Sequence, residues 1–303
     1  SNDASVARKM SAVDPITGDF VWDSGIADWV GLLKVQGSQL IVGGSFTAIN
    51  GETRNGLALF STGGGAPQLI GADYSGPLGV AYPYVSDAAI SGSTLYAGGF
   101  KYSVGGVSRR RLLRADSQTG EPRSWNPSQD DPSAGGIFFI ETMDSTIYVA
   151  GYFDKMMGES RNRIAAFDMV SGALKSWAPH FGSYPTFHNM AVSEGEFYVA
   201  GYFSEVNGQS RNGIAAFSGA TGDLLSWTTD LEPDSYVSSM ARHGDFLVLV
   251  GELIRNGERR WLGLADLKTG VFRSDIPQPN SSPWYVKSNG SRAFICGSFT
   301  RMD

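Results

Sequence analysis

Apolar and polar positions alternate along this chain in short runs, and the 3.6-residue spacing of an amphipathic helix is absent. The stretch from Phe187 to Trp227 shows the pattern most fully. FHNMAVS reads as a first strand, closed by a turn at Glu194–Gly195. FYVAGYF is a second strand with alternating side chains. The loop SEVNGQSRN leads to a third, GIAAF, and GATGD turns the chain into a fourth, LLSW. The turns have chemical grounds. Asn-Gly and Thr-Gly supply positive-φ positions, and the Asp of DPITG, DSQTG, DMVSG and DLKTG can bond amides just ahead of it.

The second-strand phrase recurs six times, ending at Phe46, Phe100, Phe153, Phe203, Leu253 and Phe299, at intervals of 54, 53, 50, 50 and 46 residues. Two copies match closely: GYFDKMMGESRNRIAAFDMVSGALKSW and GYFSEVNGQSRNGIAAFSGATGDLLSW. A four-stranded unit at such a period is the description of a propeller blade. The chain opens with RKMSAVDPITGDFVW, the third and fourth strands of a blade, and finishes with RAFICGSFTRMD, a second strand. Joined end to end, the two halves restore an interval of 50 residues. The expected fold is all-β: one six-bladed β-propeller over 1–303, four antiparallel strands per blade. Its blades fall at about 29–72, 84–125, 136–177, 186–227 and 236–273, with a split blade of 285–303 plus 1–22. Sharing a blade between the termini pairs strand edges that would otherwise invite aggregation.

Composition narrows the class of partner. A net charge of −6 argues against a nucleic-acid surface, which wants dense Lys and Arg. Cys296, the single cysteine, rules out an intrachain disulfide, and its place in AFICGSF predicts a buried small apolar residue. No apolar run approaches the roughly 18 residues of a membrane-spanning helix, so no membrane insertion is expected. The absence of a signal peptide and of an initiating Met suggests a mature or excised domain, with flanking domains of a larger protein left open.

GGSFTAINGETRNGLALF, its echo GYFSEVNGQSRNGIAAF and the following TGDLLSW resemble the delta-60-type propeller repeats of bacterial surface and secreted proteins, with related repeats in fungal cortical polarity markers. The resemblance covers essentially the whole chain. It implies an extracellular or cell-surface setting and a non-catalytic role, and it supplies no catalytic residues. Two copies depart from the pattern: FKYSVGGVSRRRLLRAD loses Asn-Gly, and ELIRNGERRWLGLAD loses the Phe and one loop residue.

Catalytic constellations are scarce. The chain has three histidines: His180 in a linker, His188 near a first strand and His243 at a first turn, where it reads as solvated. No HExxH or CxxC spacing appears, so no catalytic residue, resident metal or cofactor is expected. Acidic clusters in the linkers, Asp130–Asp131 and Asp230 with Glu232 and Asp234, read as solvated loop charge or as a loop calcium site. Trp22, Trp125, Trp177 and Trp227 close the fourth strands, where a fixed position serves packing between blades. Arg54, Arg109, Arg161, Arg211 and Arg259 recur in the loop after the second strand, with Arg8 nearby in the split blade. They either tie loop carbonyls or form a ring for an anionic ligand.

Aligned on the second-strand glycine, Trp29, Tyr84, Gly136, Thr186, Tyr236 and Ser282 share one position leading into each innermost strand. Asp28, Asp87, His188, Trp284 and Tyr285 stand near them. These lead-in residues are expected around one mouth of a central channel. Aromatic faces beside Asp, His and Arg suit a sugar ring or a peptide loop, and they equally suit a plug. The expected function is therefore a non-catalytic extracellular or cell-surface module binding a protein or glycan. The alternatives are a carbohydrate-active enzyme, with carboxylates converging on the mouth, and a purely structural domain of a larger surface protein or filament.

Overall fold

The computed structural model describes residues 10–13, 17, 19–26, 28–61, 68–70, 84–104, 107–125, 127 and 135–303; for 13, 68–70, 100–104 and 107–110 it describes the backbone alone. Arg8, Asp130–Asp131 and most of the DPITG turn lie outside the described residues. Every regular element among the described residues is a strand.

In chain order, β1 (Ser11–Val13) and β2 (Phe20–Asp23) form an antiparallel pair. The first full repeat has β3 (Val30–Gln36), β4 (Gln39–Gly44), the small pair β5 (Ala48–Ile49) and β6 (Glu52–Thr53), then β7 (Leu57–Ser61) and β8 (Gln68–Ile70). Its main sheet runs β3-β4-β7-β8. The second has β9 (Val85–Ser91), β10 (Thr94–Val104) and β11 (Val107–Asp116). The third has β12 (Ile137–Met143), β13 (Thr146–Gly151), β14 (Lys155–Met156), β15 (Glu159–Ser160) and β16 (Ile164–Asp168). In the fourth, β17 (Thr186–Ser193), β18 (Glu196–Tyr202) and β21 (Ile214–Ser218) form the sheet, and β19 (Glu205–Val206) and β20 (Gln209–Ser210) the small pair. The fifth is a four-stranded sheet of β22 (Tyr236–His243), β23 (Phe246–Arg255), β24 (Glu258–Asp266) and β25 (Phe272–Arg273). A final pair, β26 (Pro283–Ser288) and β27 (Ala293–Gly297), ends the chain.

The chain divides into two compact units. One holds 1–142, 149–160 and 169–174; the other holds 143–148, 161–168 and 175–303. Within each, consecutive sheets pack face to face. In the second unit, Leu247 and Leu249 of β23 pack with Tyr198 and Ala200 of β18, while Val248 and Val250 pack with Val286 of β26. Alternate side chains thus meet different neighbours, which explains why these second strands are apolar on both faces. In the first unit, Leu32, Ile41 and Leu57 pack with Val85, Ala88 and Leu95.

The Asp turns form as expected: Asp116 accepts the amides of Gln118 (2.9 Å) and Thr119 (3.0 Å), and Asp266 those of Lys268 (3.0 Å) and Thr269 (2.7 Å). In the second and fourth repeats the fourth strand is reduced to a single bridge. LLSW contributes one bridge, Phe217↔Leu224, and the segment after DSQTG contributes Ala115↔Pro122. In the fourth repeat the next carbonyl, on Leu225, is taken by the Arg211 guanidinium at 2.6 Å, so the ladder stops there. Cys296 also corrects its expectation, for it is exposed. Among the described residues its strand pairs with β26 alone, whereas β4, β18 and β23 have a strand on either side. His243 is half-buried, with Nδ1 3.1 Å from Ser288 Oγ, and not freely solvated.

Candidate functional site

Each second strand carries a glycine that faces the carbonyl of the lead-in residue 15 positions earlier. Gly44 faces Trp29, Gly99 Tyr84, Gly151 Gly136, Gly201 Thr186, Gly251 Tyr236 and Gly297 Ser282. A methyl group on any of them would overlap that oxygen, so the position admits glycine alone. The six lead-in residues are thus equivalent, as the alignment expects. Gly99, and not Gly98, occupies the position in the second repeat, so the phrase read as ending at Phe100 stops one residue short of its counterparts.

One residue after the lead-in pair, the inner strand bulges. The register passes over Gly31, Ser86, His188, Ser238 and Trp284. A bulge re-aims its side chain, and here several reach the following repeat. Ser86 Oγ donates to Ile137 O, Ser238 Oγ to Pro283 O at 3.3 Å, and His188 Nδ1 lies 3.4 Å from Tyr236 Oη.

In the first unit, Trp29 and Tyr84 stack nearly parallel, with centroids 5.3 Å apart and 17° between planes, and Trp29 is 48% exposed. Asp87 serves its surroundings: its carboxylate accepts the amides of Ala88 (2.8 Å) and Ile140 (2.7 Å). The Ile140 amide lies on the next inner strand, so Asp87 satisfies a strand edge. Lys34 Nζ sits 3.9 Å from Asp87 and 3.2 Å from Glu141. Burial opposes the Lys34 charge, but the two carboxylates hold its ammonium above the ordinary lysine range. Sequence reading missed Lys34 and Glu141, since over a hundred positions separate them. The only signal was their place on inner strands.

In the second unit, His188 meets Tyr236 edge to face, with centroids 4.8 Å apart. Burial holds the His188 imidazole below its usual range; burial, then Tyr285, pushes the Tyr236 phenol up. Trp284 and Tyr285 are 55% and 60% exposed. Neighbours on a regular strand point to opposite faces; the bulge at Trp284 lets both face outward. His188, Tyr236 and Tyr285 therefore gather in one neighbourhood of this unit, with Trp284 beside them in sequence.

The arginines divide. Arg161 Nη2 donates to Lys175 O at 2.8 Å, and Arg211 to Ser210 O (2.8 Å) and Leu225 O (2.6 Å); both side chains are buried. Arg54 bonds Thr53 O at 2.8 Å and pairs with Glu52. Beside them, Asn162 Oδ1 accepts the Phe181 amide (2.9 Å), and Asn212 Nδ2 donates to Leu231 O (2.8 Å), which fastens each loop to the next linker. These arginines tie loop carbonyls, the first of their two readings. Arg259 does not share the position: Arg211 stands three residues after the turn glycine, and the residue three after Gly257 is Arg260. Arg259 is exposed and pairs with Glu252 at 2.6 Å. Arg109 lies on β11 opposite Tyr102, and its side chain is outside the described residues.

The tryptophans lock successive repeats. Trp125 Nε1 donates to Gly172 O (2.7 Å), Trp177 to Gly222 O (2.8 Å) and Trp227 to Asp266 O (3.1 Å). Each accepting carbonyl belongs to the Asp- or Ser-initiated turn of the following repeat. Trp22 lies edge-on to Phe60, 5.1 Å away.

Two of the acidic linker residues, Asp230 and Glu232, are committed to a hairpin tip. Asp230 pairs with Arg255 at 2.6 Å, and the Glu232 carboxylate accepts the Gly257 amide. Among the described residues, no group of three His, Cys, Asp or Glu side chains is placed to hold a metal ion. Among the described residues, no helix is long and apolar enough to cross a membrane.

No curated protein matches this chain. Among solved structures it is similar to the extracellular domain of a protein described as a one-component system of B. thetaiotaomicron, at 13% identity and a TM-score of 0.57 over 93% of this chain. The chain spans 35% of that neighbour's length. It is also similar to the computationally designed Ika8 protein, at 13% identity and a TM-score of 0.51, over 94% of this chain and 86% of that one. These likenesses bear on fold. Residues 39–64, which hold β4 to β7, match a domain of unknown function described as the DUF5122 beta-propeller. The chain is thus an all-β protein of repeated antiparallel sheets with a β-propeller family segment in its first repeat.

Proposed function

We propose that the protein is a closed six-bladed propeller of an extracellular or cell-surface setting that binds a glycan through its lead-in aromatics, without catalysis. The observation that carries the reading is the pair Trp284 and Tyr285, turned outward together at a bulge. Exposed aromatic faces stack on the C–H faces of sugars, while the neighbouring Tyr236 and His188 offer polar atoms for hydroxyls. The exposed face of Trp29 on Tyr84 supplies a platform of the same kind. Asp87, already holding two amides, is ill-suited to general acid–base work. The extracellular domain among the structural neighbours is in keeping with the location.

Closure has local support. Phe20 and Val21 of β2 and Phe294 of β27 are apolar and exposed, at 63%, 62% and 57%. Met10 occupies the place of Ile214, and Cys296 that of Ala200, two residues that pair across β18 and β21. Closure therefore sets Cys296 opposite Met10. Met10→Cys is expected to form an intramolecular disulfide under mild oxidation, which non-reducing electrophoresis reads. No cross-link from position 10 would remove the ring.

A glycan-array screen with Trp29→Ala, Tyr236→Ala and Trp284→Ala tests the binding. Affinity should fall at least tenfold in these variants while their melting temperatures hold. A wild-type protein silent across the array, but captured by a protein ligand through the same aromatics, would replace the glycan. Hydrolysis of an array glycan would make the protein an enzyme. Silence in every screen would leave a structural domain.

A further inference from the structure

The second unit contains a cavity of about 430 Å³ that none of the lead-in aromatics line. Its walls come from the linker before β17, the chain after β18 and the linker before β22. Tyr202, half exposed, forms one side, and Phe181 and Phe203, both buried, belong to its lining. The size suits a small organic ligand.

The walls are fixed before any ligand arrives. The His180 amide donates to Asn207 Oδ1 (2.8 Å), the Asn207 amide donates to His180 O (2.7 Å), and His180 Nδ1 accepts the Gly182 amide (3.2 Å). Phe181 packs edge-on against Phe203, with centroids 5.0 Å apart. Across the cavity, Ser235 Oγ is tied to the amide and carbonyl of Ile254 at 3.1 and 3.4 Å.

The charge of the lining has one sign. Glu205 and Asp234 both line the cavity, and no Lys or Arg does. The neighbouring carboxylates behave otherwise, since Asp230 and Glu232 are spent on Arg255 and Gly257. Two carboxylates and a phenol face in a preformed hollow attract a cation with apolar substituents. The ring quadrupole favours such a charge within about 6 Å of its centroid, and the carboxylates add Coulomb attraction.

We propose that this cavity binds an organic ammonium group, either a protonated primary amine or a quaternary ammonium, carried on a ligand of side-chain size. Tyr202 supplies the aromatic face, Glu205 and Asp234 the countercharge, and Phe181 with Phe203 the apolar surface for the attached carbons. The site is independent of the glycan reading, because it shares no residue with the lead-in set.

The test is titration of the whole chain at low ionic strength with choline, with n-butylamine and with 3,3-dimethylbutan-1-ol, the neutral isostere of choline. Amide shifts of Gly182, Ser183 and Asp234 in two-dimensional NMR report occupancy. At least one of the two cations should saturate these shifts, the neutral alcohol should not, and added salt should weaken binding. The tighter cation identifies the ligand as quaternary or primary. Glu205→Gln with Asp234→Asn should lower affinity at least tenfold, with the melting temperature unchanged because both side chains are exposed. Tyr202→Leu should weaken choline more than butylamine. Equal binding of the neutral alcohol, full affinity in the doubly neutralised variant, or no saturable shift from either cation at tens of millimolar would each overturn the proposal.

Discussion

The fourth and fifth repeats start from the same geometry and end differently. Both place a glycine under a lead-in carbonyl, Gly201 under Thr186 and Gly251 under Tyr236. Both turn at Asn-Gly, at Asn207–Gly208 and Asn256–Gly257. In the fourth, Ala200 pairs with Ile214, and the chain between them opens into a loop around the small pair β19–β20. In the fifth, the equivalent Val250 pairs with Leu262, two residues closer along the chain, and not the single residue that the sequence suggested. The loop collapses, β23 and β24 run on to Arg255 and Glu258, and the arginine anchor is lost. Length is not the whole cause, for in the second repeat Gly98 pairs with Leu112 at the spacing of Ala200 and Ile214, yet β10 and β11 run on as a hairpin to Val104 and Val107.

Substitutions at the shared geometry should have the largest effect. Gly201→Ala and Gly251→Ala drive a methyl into a backbone carbonyl that cannot retreat, and each should cost on the order of 4 kcal/mol or prevent folding. Gly195, in a turn at φ 79° with nothing within 4 Å of where its Cβ would lie, should cost about 1 kcal/mol when replaced by Ala. Denaturant melts of the three variants check this, and equal losses would mean that the lead-in carbonyl is not fixed.

The arginines come next and bear directly on the contrast. Arg211→Ala removes a buried guanidinium from two carbonyls and should cost roughly 2–3 kcal/mol. Arg259→Ala breaks an exposed pair with Glu252 and should stay within about 0.5 kcal/mol. Comparable losses would show that the fifth repeat keeps a clamp by another route. Smaller again is Trp177→Phe, which keeps the ring but leaves Gly222 O without the indole donor, at about 1 kcal/mol.

What the sequence disclosed follows the locality of the cause. The 15-residue offset was legible because a glycine forced by an overlapping carbonyl recurs whatever surrounds it. The Asp turns were legible because each is complete within five residues. The packing role of the tryptophans was legible from their fixed place, but the acceptor was not, since Gly222 O lies 45 residues from Trp177. Asp87 looked available because nothing local marks the Ile140 amide as a strand edge in need of an acceptor. Cys296 looked buried because its strand copies β18, but burial also needs a strand on the other side of β27, the one that the proposed closure would supply.

The smallest effect tests the link between the two repeats. His188 bulges from β17 of the fourth and reaches the Tyr236 hydroxyl, at the start of the fifth. Its imidazole is held below the usual value by burial, so the folded protein resists a proton that the unfolded chain accepts near pH 6.5. The unfolded state then binds more protons, and stability must fall as the pH drops below about 6.5, levelling only under the lowered folded value. Carboxylates titrating in the same range act equally on a His188→Gln variant, so the difference between the two melting profiles isolates the imidazole. The wild type should lose more stability than His188→Gln between about pH 7.5 and 5.5. Parallel profiles would mean that His188 is solvated and that the fourth and fifth repeats are joined at their lead-in ends by something other than this contact.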